Sequence, residues 1–178
     1  MTSRLPGTRR AKQEAKSVLA SFGTSVPIDV VSIAEGHNIE VRLEELEDAV
    51  SAMLVVRGDR SIIAVNARHH PHRRRFSVAH ELGHYLLHRE QDRVFIDAAV
   101  FFRRDGATAA TWAQEKEANT FAAELLLPEH LIREAWRVDP IDVFDDMAMK
   151  RWADRFGVSP QALLIRLTEL DLAFRTSS

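Results

Sequence analysis

At 178 residues, with 46% hydrophobic and 28% charged residues, the chain has the make-up of one soluble globular domain with room for a sizeable core. A formal net charge of −2 gives no overall field toward nucleic acid or an acidic membrane, and the absence of cysteine excludes disulfides and zinc–thiolate sites. No stretch has the apolar run of a secretory signal or of a bilayer span of about 20 residues, so the expected location is the cytoplasm.

Arg9 to Phe22 reads as an amphipathic helix closed by Gly23, with Ala11, Ala15, Val18, Leu19 and Phe22 on one side. Pro27-Ile28-Asp29 opens a second short helix through Ala34, ended by Gly36. The period then changes to two. Ile39, Val41 and Leu43 alternate with polar residues, and Ala52–Val56 and Ile62–Val65 are short aliphatic runs separated by the turn signal Gly58-Asp59. These predict a small, largely antiparallel three-stranded sheet. A helix over about Arg73–His88 follows. Val94–Ile96 and Val100–Phe102 fit either strands or an aromatic-packed loop. Thr111-x-x-Gln114 matches a capping box, predicting a helix from Thr111 to a stop at Pro128. Further helices are expected from Pro128 to about Arg137, over Val143–Phe156, and from Pro160 to about Ala173, the last with Ser159 as N-cap and proline at its first position.

The most specific chemistry lies in His80-Glu81-Leu82-Gly83-His84. Residues four apart on a helix share a face, so the imidazoles of His80 and His84 stand side by side and can hold one zinc ion, with Glu81 placed as general base. The competing interpretation is a buried amphipathic helix with ordinary core histidines. Gly83 speaks against it: a mid-helix glycine costs about 1 kcal/mol relative to alanine and makes sense where a second helix approaches closely.

A catalytic zinc takes three protein ligands and keeps one position open. His88 lies about 12 Å along the helix from His80, too far to share an ion. The metzincin spacing would need glycine and histidine where Leu87 and Glu90 stand. The remaining source is a carboxylate on another helix, and Glu115-Lys116-Glu117-Ala118-Asn119 offers one. Glu115 and Asn119 share a face, and Glu117 points about 200° away. Glu115 is therefore the candidate third ligand. Asn119 is placed to accept the other ring N–H of His80, as an outer partner of a zinc-bound histidine does. The alternative is that Glu115 and Glu117 merely complement the helix dipole.

Phe76-x-x-Ala79-His80-Glu81-Leu82-Gly83-His84, together with Glu115-x-x-Ala118-Asn119-x-Phe121-Ala122-Ala123-Glu124-Leu125-Leu126-Leu127-Pro128, resembles the ImmA/IrrE family of bacterial metallopeptidases over roughly Pro27 to Leu170. The resemblance implies a gluzincin-like site with His80, His84 and Glu115 as ligands to one Zn2+ and Glu81 as base. It also implies an edge strand over Ile62–Asn66, whose Ile63, Val65 and Asn66 would line the substrate cleft beside an extended peptide. Members act on helix-turn-helix repressors of mobile elements or stress genes, or in toxin–antitoxin settings, so a protein substrate of that kind is expected. The sensory domain of longer members is expected to be absent.

The fold expected is α+β: a small, mostly antiparallel sheet packed on the H-E-x-x-H helix and a second ligand-bearing helix. Residues 1–137 form the peptidase core and 138–178 a helical C-terminal part packed on it. Two features keep other functions open. Arg68–Arg75 is basic and histidine-rich, fitting either a grip on a nucleic acid or an acidic substrate, or a plain solvated loop. The last two helices resemble a helix-turn-helix, making DNA binding or a non-catalytic sensor the competing class. The second of them carries Glu169 and Asp171 against a single Arg166, so phosphate contacts would be sparse and direct nucleic-acid binding is disfavoured.

Overall fold

The computed structural model describes residues 7–88, 94–98 and 109–173. In chain order the elements are α1 (Gly7–Phe22), α2 (Val30–Gly36), β1 (Ile39–Glu44), β2 (Val50–Arg57), β3 (Arg60–Asn66), α3 (Pro71–His88), β4 (Val94–Ala98), α4 (Ala109–Leu126), α5 (Glu129–Val138), α6 (Asp146–Phe156) and α7 (Pro160–Glu169). The class is α+β, with a helical C-terminal part, as the residue periodicities lead one to expect.

The sheet has four strands in the order β1-β3-β2-β4. β2 pairs antiparallel with β3 and β4, whereas β1 runs parallel to β3, from Ile39 opposite Ser61 to Glu44 opposite Asn66. Val94–Ile96 is thus strand; Val100–Phe102 lies outside the described residues. β2 and β3 are joined through Gly58, whose φ of 54° lies in the left-handed region. The chain folds β3 back between β1 and β2, so β3 is an inner strand. This corrects the expectation that Ile62–Asn66 is an edge lining a cleft. Ile63 and Val65 are wholly buried core residues. Asn66 is equally buried, its amide donating to the carbonyls of Glu47 (3.1 Å) and Val50 (2.9 Å) and its oxygen accepting from the Arg68 backbone N–H (3.0 Å). Period-two alternation fixes which face of a strand is buried and says nothing of which strand lies beside it. With both ladders of β3 occupied, no peptide can add to it.

α3 is buried almost all round from Ser77 to Tyr85, the signature of a central helix. Arg75 anchors it: its guanidinium donates to the carbonyls of Ile28 (2.5 Å), before α2, and Gly157 (3.0 Å), after α6. One hydrophobic cluster runs from Leu19 in α1 through Leu54, Leu82 and Phe121 to Trp152 and Leu163 in the last two helices.

The local start and stop signals behave unevenly. Ser159 caps α7, accepting from Ala162 N–H at 3.1 Å ahead of Pro160, and Gly157 ends α6 at φ 66°. Two helix starts shift. The second helix starts only at Val30, capped by Asp29, which accepts from Ser32 N–H and whose carboxyl is held below the usual range chiefly by the Ser32 hydroxyl. α4 begins at Ala109, so Thr111 lies inside its first turn instead of capping it.

Candidate metal centre

α3 supplies His80 and His84 one turn apart, and α4 crosses close enough to bring Glu115 against both. The His80 and His84 Nε2 atoms are 3.0 Å from one another. They lie 3.2 and 3.1 Å from the two Glu115 carboxylate oxygens respectively. Both histidines are buried, while the Glu115 side chain keeps 18% of its surface exposed. Among the described residues this is the one group of three such side chains whose donor atoms converge, all within 4.8 Å. Burial disfavours the ionised form of Glu115, but the hydrogen bonds from His80 and His84 outweigh it and hold the carboxyl down at about 2. It is therefore a carboxylate at neutral pH.

The donor set suits zinc. Two imidazoles and one carboxylate make three ligands, leaving a tetrahedral ion one further position. Bonds of about 2.0–2.1 Å in a tetrahedron separate ligand atoms by about 3.3 Å, close to the 3.0–3.2 Å spacing here. Tautomer control is also present. His80 Nδ1 lies 3.0 Å from Asn119 Oδ1, one turn beyond Glu115. An oxygen acceptor there holds a proton on Nδ1 and leaves Nε2 as the nitrogen that faces Glu115 and would face an ion. Glu81, beside His80, is completely buried.

Gly83 is the contact that makes this geometry possible. A Cβ added there would stand 3.0 Å from Phe121 Cδ1, 3.2 Å from Ala118 Cα and 3.3 Å from Ala118 O. Ala118 lies between Glu115 and Asn119, so the two helices meet backbone to backbone at the site itself. Gly83→Ala gains about 1 kcal/mol of helix propensity and incurs about 1–3 kcal/mol of overpacking. The expected net result is a loss of up to about 2 kcal/mol in thermal unfolding, together with weakened zinc binding because α4 is pushed outward.

The other candidates find plainer places. Glu117 points away from the donor group, toward the start of α1, where a side chain at Gly7 would collide with its carboxylate. Tyr85 is buried on a different side of α3, beside a cavity of about 610 Å³ bounded by His37, Asp59 and Ser61. In the basic run, Arg68 pairs with Glu45 (3.0 Å) and Arg73 donates to Ser51 (2.9 Å). Arg166, the single cation of α7, is 2% exposed and paired with buried Glu124, so it offers nothing to a phosphate. Sequence reasoning missed this pair. Its signal was there: Glu124 is a lone charge inside the apolar run from Phe121 to Leu127.

Comparison with known proteins agrees with the geometry. A family profile described as Peptidase_M78, the IrrE N-terminal-like domain, matches residues 34–168. An uncharacterized immunity region protein 2 from Bacillus phage phi105 is 29% identical over 121 residues, covering 68% of this chain and 70% of the phage protein. A solved structure described as a Mycobacterium tuberculosis transcriptional regulator shares the fold with a TM-score of 0.62 and 18% identity, over 90% of this chain. The present chain spans 46% of that regulator's length.

Proposed function

This chain belongs to the IrrE N-terminal-like peptidase family, and we propose that it is a zinc-dependent endopeptidase that cleaves a partner protein. The observation that carries this reading is the convergence of His80 Nε2, His84 Nε2 and the Glu115 carboxylate within 3.0–3.2 Å of one another. His80, His84 and Glu115 would hold the ion in a gluzincin-like arrangement, and Asn119 fixes the His80 ring. A zinc ion held there would supply Lewis-acid chemistry, polarising the scissile carbonyl and making the attacking water more acidic. Glu81 takes a proton from the attacking water as the new C–O bond forms. It returns that proton to the amine as the C–N bond breaks.

The substrate we infer is a helix-turn-helix repressor of a mobile element, stress response or toxin–antitoxin system. The phage relative, named for an immunity region, supports that class. We place the peptidase core in residues 1–137 and treat 138–178 as helices serving it. The cytoplasm is the matching location; among the described residues no helix is long and apolar enough to cross a membrane.

The test is twofold. Purified protein should carry about one zinc per chain and lose it on Glu115→Ala, since two imidazoles alone bind weakly. Incubation with helix-turn-helix repressors from the same genome should yield, for one of them, a discrete cleavage that a chelator stops. A protein that takes up no zinc, or that cuts equally well in the chelator, is not this enzyme.

A further inference from the structure

His88 is unsuited to be a ligand, yet it is not idle. It ends a series of three histidines on α3, each one turn after the last, and each meets α4: His80 at Asn119, His84 at Glu115 and His88 at the backbone of Gln114. His88 Nε2 lies 3.2 Å from the Gln114 carbonyl oxygen, and its side chain is 6% exposed. Gln114 immediately precedes Glu115. That carboxylate sits only six residues after Ala109, the first residue of α4, in the part of a helix that opens most easily.

The end of α3 is itself restrained, because Arg10 of α1 donates to the Leu87 carbonyl at 2.8 Å. His88 therefore reaches across from a fixed support. The Gln114 carbonyl can only accept, so the His88 Nε2 that faces it carries the proton and donates.

We propose that His88 is a positioning residue of the metal site, whose N–H to the Gln114 carbonyl holds the first turns of α4 so that Glu115 stays within reach of His80 and His84. This rests on the metal reading above. The role needs a donor at this place and nothing else of histidine. Glutamine can supply one; phenylalanine fills the space of the ring without a donor.

The experiment measures zinc affinity of the full chain by competition with a chromophoric chelator, and unfolding of the metal-free protein alongside. His88→Phe should weaken zinc binding about 10–100-fold, the range for outer partners of a metal site. His88→Gln should stay within about threefold of the unsubstituted protein. His88→Ala takes the place of the phenylalanine variant if that one does not fold, with the same expectation. Equal affinity in the donor-less variant and the parent overturns the role, as does a glutamine variant as weak as phenylalanine. Should the parent protein itself bind no zinc, the metal site falls first and this inference with it, a result told apart from the others by the parent alone.

Discussion

Replacing Glu81 by glutamine should abolish peptide cleavage while leaving zinc bound at about one ion per chain. The exchange keeps the shape of the side chain, so the helix that carries His80 and His84 is undisturbed. What is lost is the ability to accept a proton. A positioned general base is worth about 10²–10⁴ in rate, and the same group must also return the proton to the leaving amine. The expected fall in kcat is therefore at the upper end of that range, with substrate affinity little changed. Glu81 is wholly buried, so the melting temperature is read alongside to tell a folding defect from lost chemistry. Zinc content, melting temperature and cleavage rate measured on one preparation separate the alternatives. A glutamine variant that cuts at the parental rate would take Glu81 out of the chemistry.

Arg166→Ala should be strongly damaging to the fold although it lies away from the metal site. Arg166 and Glu124 are 2% and 1% exposed and lie against one another between α7 and α4. The guanidinium also donates to the Leu127 carbonyl at 2.9 Å, at the turn where α4 gives way to α5. Removing the arginine leaves a buried carboxylate without its counter-charge and a carbonyl without its donor. Such a loss costs about 3–5 kcal/mol, which for a chain of this size lowers the melting temperature by about 6–20 °C. The double variant Arg166→Met, Glu124→Met should recover much of that, because a well-packed apolar pair avoids the desolvation penalty that the ion pair bears. If the double variant melts as low as the single one, packing rather than charge is what this contact supplies.

These two predictions differ in how visible their residues were beforehand. His80, Glu81 and His84 are legible because a helix fixes the relation of residues one turn apart, and that relation is local. Glu115 and Asn119 are legible for the same reason once the chain is known to lack cysteine. Gly83 announced a close crossing, and the crossing is there. The strand neighbours were not legible. The alternation over Ile39–Leu43 and Ile62–Val65 is the same whether the strands run parallel or antiparallel, and whether β3 ends inside the sheet or at its rim. The contacts of Arg10 and Arg166 were hidden for a related reason: each depends on a carbonyl far away in sequence, and a carbonyl leaves no trace in residue identity. The capping pattern at Thr111 failed because its two residues fit a first turn as well as a cap.

The Arg75 guanidinium joins carbonyls at positions 28 and 157, and one interior is shared by α1 and α7. During synthesis, a ribosome that has delivered only the H-E-x-x-H stretch has made α3 with α1, α2, β2 and β3 to pack on, but not α4 and its Glu115. The three donors can meet only once α4 has emerged and packed on α3. A translation product interrupted before α4 therefore lacks one of the three donors and cannot assemble the group.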